Sequence, residues 1–175
     1  MYNDFKVIDS KVFPQEVQII IPDTFTDERG ILFTDFLDDF FQNTFNPSLR
    51  FVHSKNAINR SKVLRGIHGD FESYKLVQCL YGSVFQVVVD CRKQSKTYLE
   101  HEVFELNYSN PSMILIPPGF GNAFLVTSDD AIYNYKLAYQ GKYNDHDQQF
   151  TYKWNDPRIG INWPIQNPIL SKRDQ

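Results

Sequence analysis

Between Val63 and Val77 the chain reads VLRGIHGDFESYKLV, and this stretch carries a guanidinium at Arg65, an imidazole at His68 and an ammonium at Lys75. A folded core gains little from such groups, because burying an unpaired charge is costly. A second stretch, AIYNYKLAY, offers the phenol of Tyr135. Together these types could remove a proton beside a carbonyl. The imidazole takes the proton, the ammonium stabilises the enolate oxyanion, and the phenol returns a proton from the opposite side, leaving an inverted carbon. General-base help gives about 10²–10⁴-fold and a well-aimed oxyanion donor about 2.7–4 kcal/mol, so neither group suffices alone. Arg65 has the planar fork that grips a phosphate through two hydrogen bonds.

Each group also has an ordinary structural counterpart. A histidine in a β-protein is more often a satisfied structural group than a base. Lys75 could pair with Asp90, an ion pair of small net value. Tyr135 is one of ten tyrosines, most of which must pack. An arginine at a strand end is usually solvated. Taken singly the structural readings win, so the chemistry depends on whether the fold brings these groups to one place.

The elements that would position them are strands. Short apolar or alternating runs separated by turn signals cover residues 16–22, 30–36, 51–58, 63–67, 75–81, 84–90, 99–107, 112–116, 123–127 and 131–139. Helical periodicity is confined to DDFFQNT, Asp38–Thr44, and to the tail after Asp156. So many strands at this spacing predict an all-β sandwich or small barrel. Gly82-Ser83 reads as a two-residue hairpin turn that pairs Leu80 with Phe85 and Cys79 with Gln86. Alternation then sets Lys75, Val77 and Cys79 on one face, opposite Gln86, Val88 and Asp90. In 131–139 it groups Tyr133, Tyr135 and Leu137, with Asn134 and Lys136 on the other side.

With 175 residues, 42% hydrophobic and 15% aromatic, the chain is expected to form one compact domain over 1–175. A net charge of -3 with scattered basic residues lacks the basic stripe that nucleic acid requires. No apolar run approaches the roughly 20 residues that span a bilayer, so no membrane role is expected. The start MYNDFKVIDSKVF lacks signal-peptide features, which makes the cytoplasm the expected compartment. Cys79 and Cys91 show no Cys-x-x-Cys or metal spacing and, in the hairpin register, lie on opposite faces, so neither a bridge nor a catalytic thiol is expected. His53, His68, His101 and His146 are far apart and supply no His-x-His pair with a following glutamate, so no metal is expected. His101 and His146 read as exposed strand and loop positions.

The assembled motifs DERGILFTDF, VLRGIHGD, YKLVQCLYGSVFQVVVDCRKQS, IPPGFGNAFLV, YNYK, WNDPRIGINWP and PILSKRD run nearly end to end. In that order they resemble the dTDP-4-dehydrorhamnose 3,5-epimerase family of cupin-type β-barrels. The resemblance implies a jelly-roll barrel with a few short helices and a homodimer with an exchanged N-terminal strand. It also implies no metal or organic cofactor, and a nucleotide-diphospho-4-keto-6-deoxy sugar as substrate in surface polysaccharide synthesis. It makes His68 the base at C5 and usually C3, oriented by Asp174 of LSKRD. Lys75 becomes the enolate-stabilising ammonium, Tyr135 the acid on the opposite face, and Arg65 with Arg29, the latter from the second subunit, the diphosphate clamp.

Departures from the family's usual pattern gather around substrate binding. Gly69 and Asp70 stand where an aromatic residue and a glutamine are common, and Pro118 and Asn122 replace the glutamate and second histidine of PEGFAHGF. Gln86 stands where VFDV has its aspartate, Thr34 where a glutamate follows the RG strand, and His53 with Lys55 where QDN is usual. Asp70, Gln86, Asn122, His53 and Lys55 are therefore expected to set sugar and nucleotide recognition. A GDP- or CDP-linked sugar, including a 6-deoxy-heptose, stands beside the dTDP-linked hexose. Inversion at C3 or C5 alone, a 3,4-ketoisomerase, and a non-catalytic sugar-nucleotide binding protein are the alternatives.

Overall fold

A computed structural model gives the fold and describes residues 4–46 and 49–175, so the first three residues of the start read above lie outside it. In chain order the strands are β1 (Phe5–Asp9), β2 (Gln18–Pro22), β3 (Thr24–Asp27), β4 (Gly30–Phe33), β5 (Phe51–Arg60), β6 (Leu64–Gly69) and β7 (Tyr74–Tyr81). They continue as β8 (Ser83–Asp90), β9 (His101–Asn107), β10 (Met113–Ile116), β11 (Phe120–Val126), β12 (Asp130–Ala138) and β13 (Phe150–Thr151). One helix, α1 (Asp38–Thr44), lies between β4 and β5.

The strands form a six-stranded antiparallel sheet, β1-β2-β10-β7-β12-β5, and a five-stranded one, β13-β6-β11-β8-β9, while β3 and β4 make a separate ribbon. This is an all-β jelly-roll sandwich, and its interior is built as alternation demands. Val77 and Cys79 of β7, Ile114 and Ile116 of β10, Val84 and Val88 of β8 and Phe124 of β11 meet in one buried cluster. Such side chains contribute about 1.5–3 kcal/mol each on full burial, the main source of cohesion. Phe41 of α1 is fully buried and, with Leu76, Met113 and Leu115, covers the outer face of the six-stranded sheet. Asp38 and Asp39 occupy the first turn of α1, where the helix dipole favours carboxylates.

Two expectations are corrected. β7 and β8 are not a hairpin: β7 is paired on both edges by β10 and β12, and β8 by β11 and β9. Gly82, at φ 74°, carries the chain from one sheet across to the other, and a Cβ there would lie 2.1 Å from the Asp130 carbonyl oxygen. Lys75 and Gln86 therefore do not pair along a ladder; their strands belong to facing sheets. The tail after Asp156 is a succession of turns rather than a helix, broken by Pro157, Pro164 and Pro168. Asp90 is engaged by Arg92 at 2.8 Å and by Thr97, so the alternative Lys75–Asp90 pair does not form. Cys79 and Cys91 are free, buried in separate clusters. Among the described residues no helix is long and apolar enough to cross a membrane.

Candidate active site

The two sheets open at one mouth, and the chemistry-bearing residues come from both. His68 lies near the end of β6, in register with Asn122 of β11 and Thr151 of β13. Lys75 is the second residue of β7, and Tyr135 of β12 is in register with Val77 and, on its other side, with Lys55 of β5. His68 thus belongs to the five-stranded sheet, and Lys75 and Tyr135 to the six-stranded one. All of them line a cleft of about 260 Å³. The inward grouping of Tyr133, Tyr135 and Leu137 expected from alternation is what delivers the phenol.

The segment that follows the turns after Asp156 runs back along β6. Ile169 accepts from Leu64 N at 3.0 Å and donates to Lys62 O at 2.8 Å, which brings Asp174 under the imidazole. Asp174 Oδ1 lies 2.6 Å from His68 Nε2, and Ser171 Oγ donates to Oδ2 at 2.7 Å. Burial pushes the Asp174 carboxyl up, but hydrogen bonds from His68 and Ser171 and the charges of His68 and Arg173 more than reverse this, holding it below its ordinary value. An ionised carboxylate keeps the proton on the nitrogen it faces, so Nδ1 is the basic nitrogen of His68.

Lys75 is buried and donates to His68 O at 3.1 Å; it forms no ion pair among the described residues. Burial lowers its pKa to about 8, against the upward pull of Asp70. Its ammonium therefore faces the cleft with capacity to spare. The Tyr135 hydroxyl has no hydrogen-bond partner among the described residues, and burial raises its pKa, partly offset by Lys55, so it stays a proton donor near neutrality. Tyr133, two residues earlier, is different: its hydroxyl donates to Gln86 Oε1 at 2.7 Å.

Besides Lys75, three further cations line the same cleft. Among the described residues Arg65 uses only Nε, on Asn59 Oδ1 at 2.8 Å, and neither terminal nitrogen has a partner. Lys55 Nζ sits 4.4 Å from the centre of the Tyr143 ring. Arg173, which sequence reasoning missed, donates through Nε to Thr151 Oγ1 at 3.0 Å and more weakly to Gln149 Oε1. Its signal was its place beside Asp174 in LSKRD. Tyr143 and His146 were also missed as lining residues, because they lie on the loop after β12, where no periodicity marks which side chains turn inward.

Four expected binding residues do not line this cleft. Arg29 is bound to Asp27 at 2.5 Å on the exposed β3–β4 ribbon. Asp70 is buried, its Oδ1 accepting from Glu72 N and Ser73 N in a tight turn. Gln86 is wholly enclosed behind Asn122. His53 packs edge-on against Tyr143, 5.1 Å between ring centres. Among the described residues no group of three His, Cys, Asp or Glu comes together that could hold a metal ion.

This geometry can be set beside known proteins. The family model described as dTDP-4-dehydrorhamnose 3,5-epimerase matches residues 14–175. The dTDP-4-dehydrorhamnose 3,5-epimerase of Shigella flexneri is 36% identical over 162 residues, 91% of this chain and 88% of that one. The dTDP-4-dehydrorhamnose 3-epimerase of Streptomyces niveus is 32% identical over 161 residues, 89% of this chain and 75% of that one. The crystal structure of a dTDP-6-deoxy-D-glucose-3,5-epimerase from Legionella pneumophila, in complex with dTDP-4-keto-L-rhamnose, superposes with a TM-score of 0.89 at 30% identity, covering 98% of this chain and 90% of that one. The chain has the cupin-type fold and belongs to the dTDP-4-dehydrorhamnose 3,5-epimerase family, whose members are isomerases.

Proposed function

We propose that this chain, acting over its length as one catalytic unit, inverts the carbons flanking the ketone of a dTDP-4-keto-6-deoxy hexose, at C3 and C5. The observation that carries this reading is the sharing of one cleft by His68, backed by Asp174, and by Lys75 and Tyr135 from the facing sheet. His68 Nδ1 takes the proton beside the ketone, and the C–H electron pair moves onto the C4 oxygen, where the Lys75 ammonium meets the negative charge. Tyr135 gives its hydroxyl proton to the other face of the same carbon. Solvent takes the proton from His68 and restores the phenol, so the cycle closes with protons alone.

Arg65, Lys55 and Arg173 supply the positive charge for a diphosphate. The relatives named above are described by dTDP-linked sugars, which favours dTDP over GDP or CDP and a hexose over a heptose. A homodimer is part of the reading: the β3–β4 ribbon exposes Ile31 and Leu32 beside Arg29, consistent with that ribbon serving a second copy. A single-chain mass by light scattering would remove the dimer.

In heavy water the enzyme with dTDP-4-keto-6-deoxyglucose is expected to wash deuterium into C3 and C5, followed by proton NMR. His68→Ala should abolish exchange at both carbons; exchange that survives the substitution would overturn His68 as the base. Inversion at one centre is the second reading, favoured by Asn122 in place of the family's second histidine and by the 3-epimerase relative. Deuterium at C3 alone in the wild type would select it.

A further inference from the structure

Gln86, Asn122 and Tyr133 form a chain of hydrogen bonds behind the cleft whose direction has one consistent solution. Gln86 is wholly buried, and its Nε2 donates to Val87 O at 3.0 Å. A backbone carbonyl only accepts, so the amide nitrogen of Gln86 must face Val87, and its oxygen must face the Tyr133 hydroxyl. The second proton of that nitrogen goes to Asn122 Oδ1 at 2.7 Å. The oxygen of Asn122 is thereby held toward the wall, with Tyr133 OH a further 3.2 Å neighbour. Asn122 Nδ2 is left without a partner among the described residues, on a side chain that lines the cleft in register with His68.

The geometry points to Asn122 as a specificity-determining residue that donates a hydrogen bond to a hydroxyl of the sugar ring, with Gln86 as the positioning residue that fixes which way its amide points. The proposal rests on the sugar-nucleotide reading above and deepens it. Charge separates the two halves of the ligand: the diphosphate is drawn to Arg65, Lys55 and Arg173, whereas the donor beside the base is neutral and suits an uncharged oxygen. A donor locked by a buried relay also discriminates, because a ligand lacking that oxygen leaves it unpaired.

The test compares two ligands that are not turned over, dTDP and dTDP-glucose, by titration calorimetry. Asn122→Ala is expected to weaken dTDP-glucose about tenfold and to leave dTDP unchanged, as loss of one hydrogen bond to the sugar predicts. Gln86→Glu should weaken the same ligand selectively, because a carboxyl group carries at most one proton and cannot donate to both Val87 O and Asn122 Oδ1. A general loss of folding would weaken both ligands, and Asn122→Ala, at a partly exposed position, tests the proposal independently of the buried one. Equal weakening of dTDP and dTDP-glucose, or no change in either, overturns the inference. A wild type that binds dTDP-glucose but exchanges no deuterium with the keto sugar would instead overturn the epimerase reading and leave the sugar-reading role standing.

Discussion

Lys75 and Lys136 occupy neighbouring strands of the same sheet, in register with Leu137 and Leu76, yet they live on opposite faces. On the outer face Lys136 is paired: Nζ donates to Asp35 Oδ2 at 2.7 Å and to Asn134 Oδ1 at 3.2 Å, and Gln78 Nε2 holds the same Asp35 oxygen. On the inner face Lys75 has, among the described residues, a single backbone oxygen, His68 O, and is more deeply buried. One residue type has been given its counter-charge and the other has not. Desolvating a cation without a carboxylate destabilises the fold, so an unpaired buried lysine signals that a negative charge arrives from elsewhere. In the proposed reaction that charge is the enolate oxygen.

The largest effect separating the two faces is expected from Lys75→Met. Activity should fall about 10²–10³-fold, the usual cost of losing one oxyanion donor, without loss of thermal stability. The same variant changes the pH response. Lys75 has a folded pKa of about 8 against an ordinary 10.5, so between these values the unfolded chain binds the extra proton and stability rises with pH. Turnover, which needs the ammonium, falls over that same window. Lys75→Met should flatten the stability rise; a rise that persists in the variant would assign it to another group.

Tyr133 and Tyr135 repeat the contrast on the inner face alone. The first hydroxyl is committed to Gln86, and the second has no partner among the described residues. Tyr135→Phe is expected to cost about 10²-fold in product formation while proton removal, read as deuterium exchange, suffers less. Tyr133→Phe should instead cost about 1–2 kcal/mol in unfolding free energy, because it leaves Gln86 Oε1 unpaired in the interior. Equal losses of exchange and product in Tyr135→Phe would place that phenol on the wrong side of the reaction.

The contrast also shows what the sequence could disclose. Most strand positions and the inward set of Tyr133, Tyr135 and Leu137 are legible from apolar runs and a period of two, but β1, β3 and β13 are not, and β10, covered on both faces, is buried at every residue. The Gly82-Ser83 turn did not disclose its geometry, because a glycine that closes a hairpin and one that crosses between sheets look alike locally; only the pairing of β10 and β12 on either side of β7 decides. Asp70 and Gln86 stand where the family's motifs suggest ligand contacts, but both side chains are turned into the protein, Asp70 Oδ1 accepting from Ser73 N and Gln86 Oε1 from the Tyr133 hydroxyl. Arg173 escaped notice for the converse reason. Its partners Thr151 and Gln149 are distant in sequence and come from β13 and the loop before it.

The smallest effect is the one that sharpens the comparison most, because it should spare activity. Lys136→Met removes the cation from Asp35, a carboxyl that burial would raise but that hydrogen bonds from Lys136 and Gln78 hold below its ordinary value. The pair is partly exposed, 14% for the lysine and 40% for the aspartate, so solvent screening limits the loss to about 1 kcal/mol. For a chain of this size that corresponds to a fall of about 2–4 °C in Tm. Turnover should remain within a factor of about two of the wild type, as the side chain points away from the cleft. The outer pair then stabilises the sheet and the inner lysine serves the reaction. A Lys136→Met enzyme that keeps its Tm but loses turnover would reverse that division, since it would mean that the outer network acts through β12 on Tyr135.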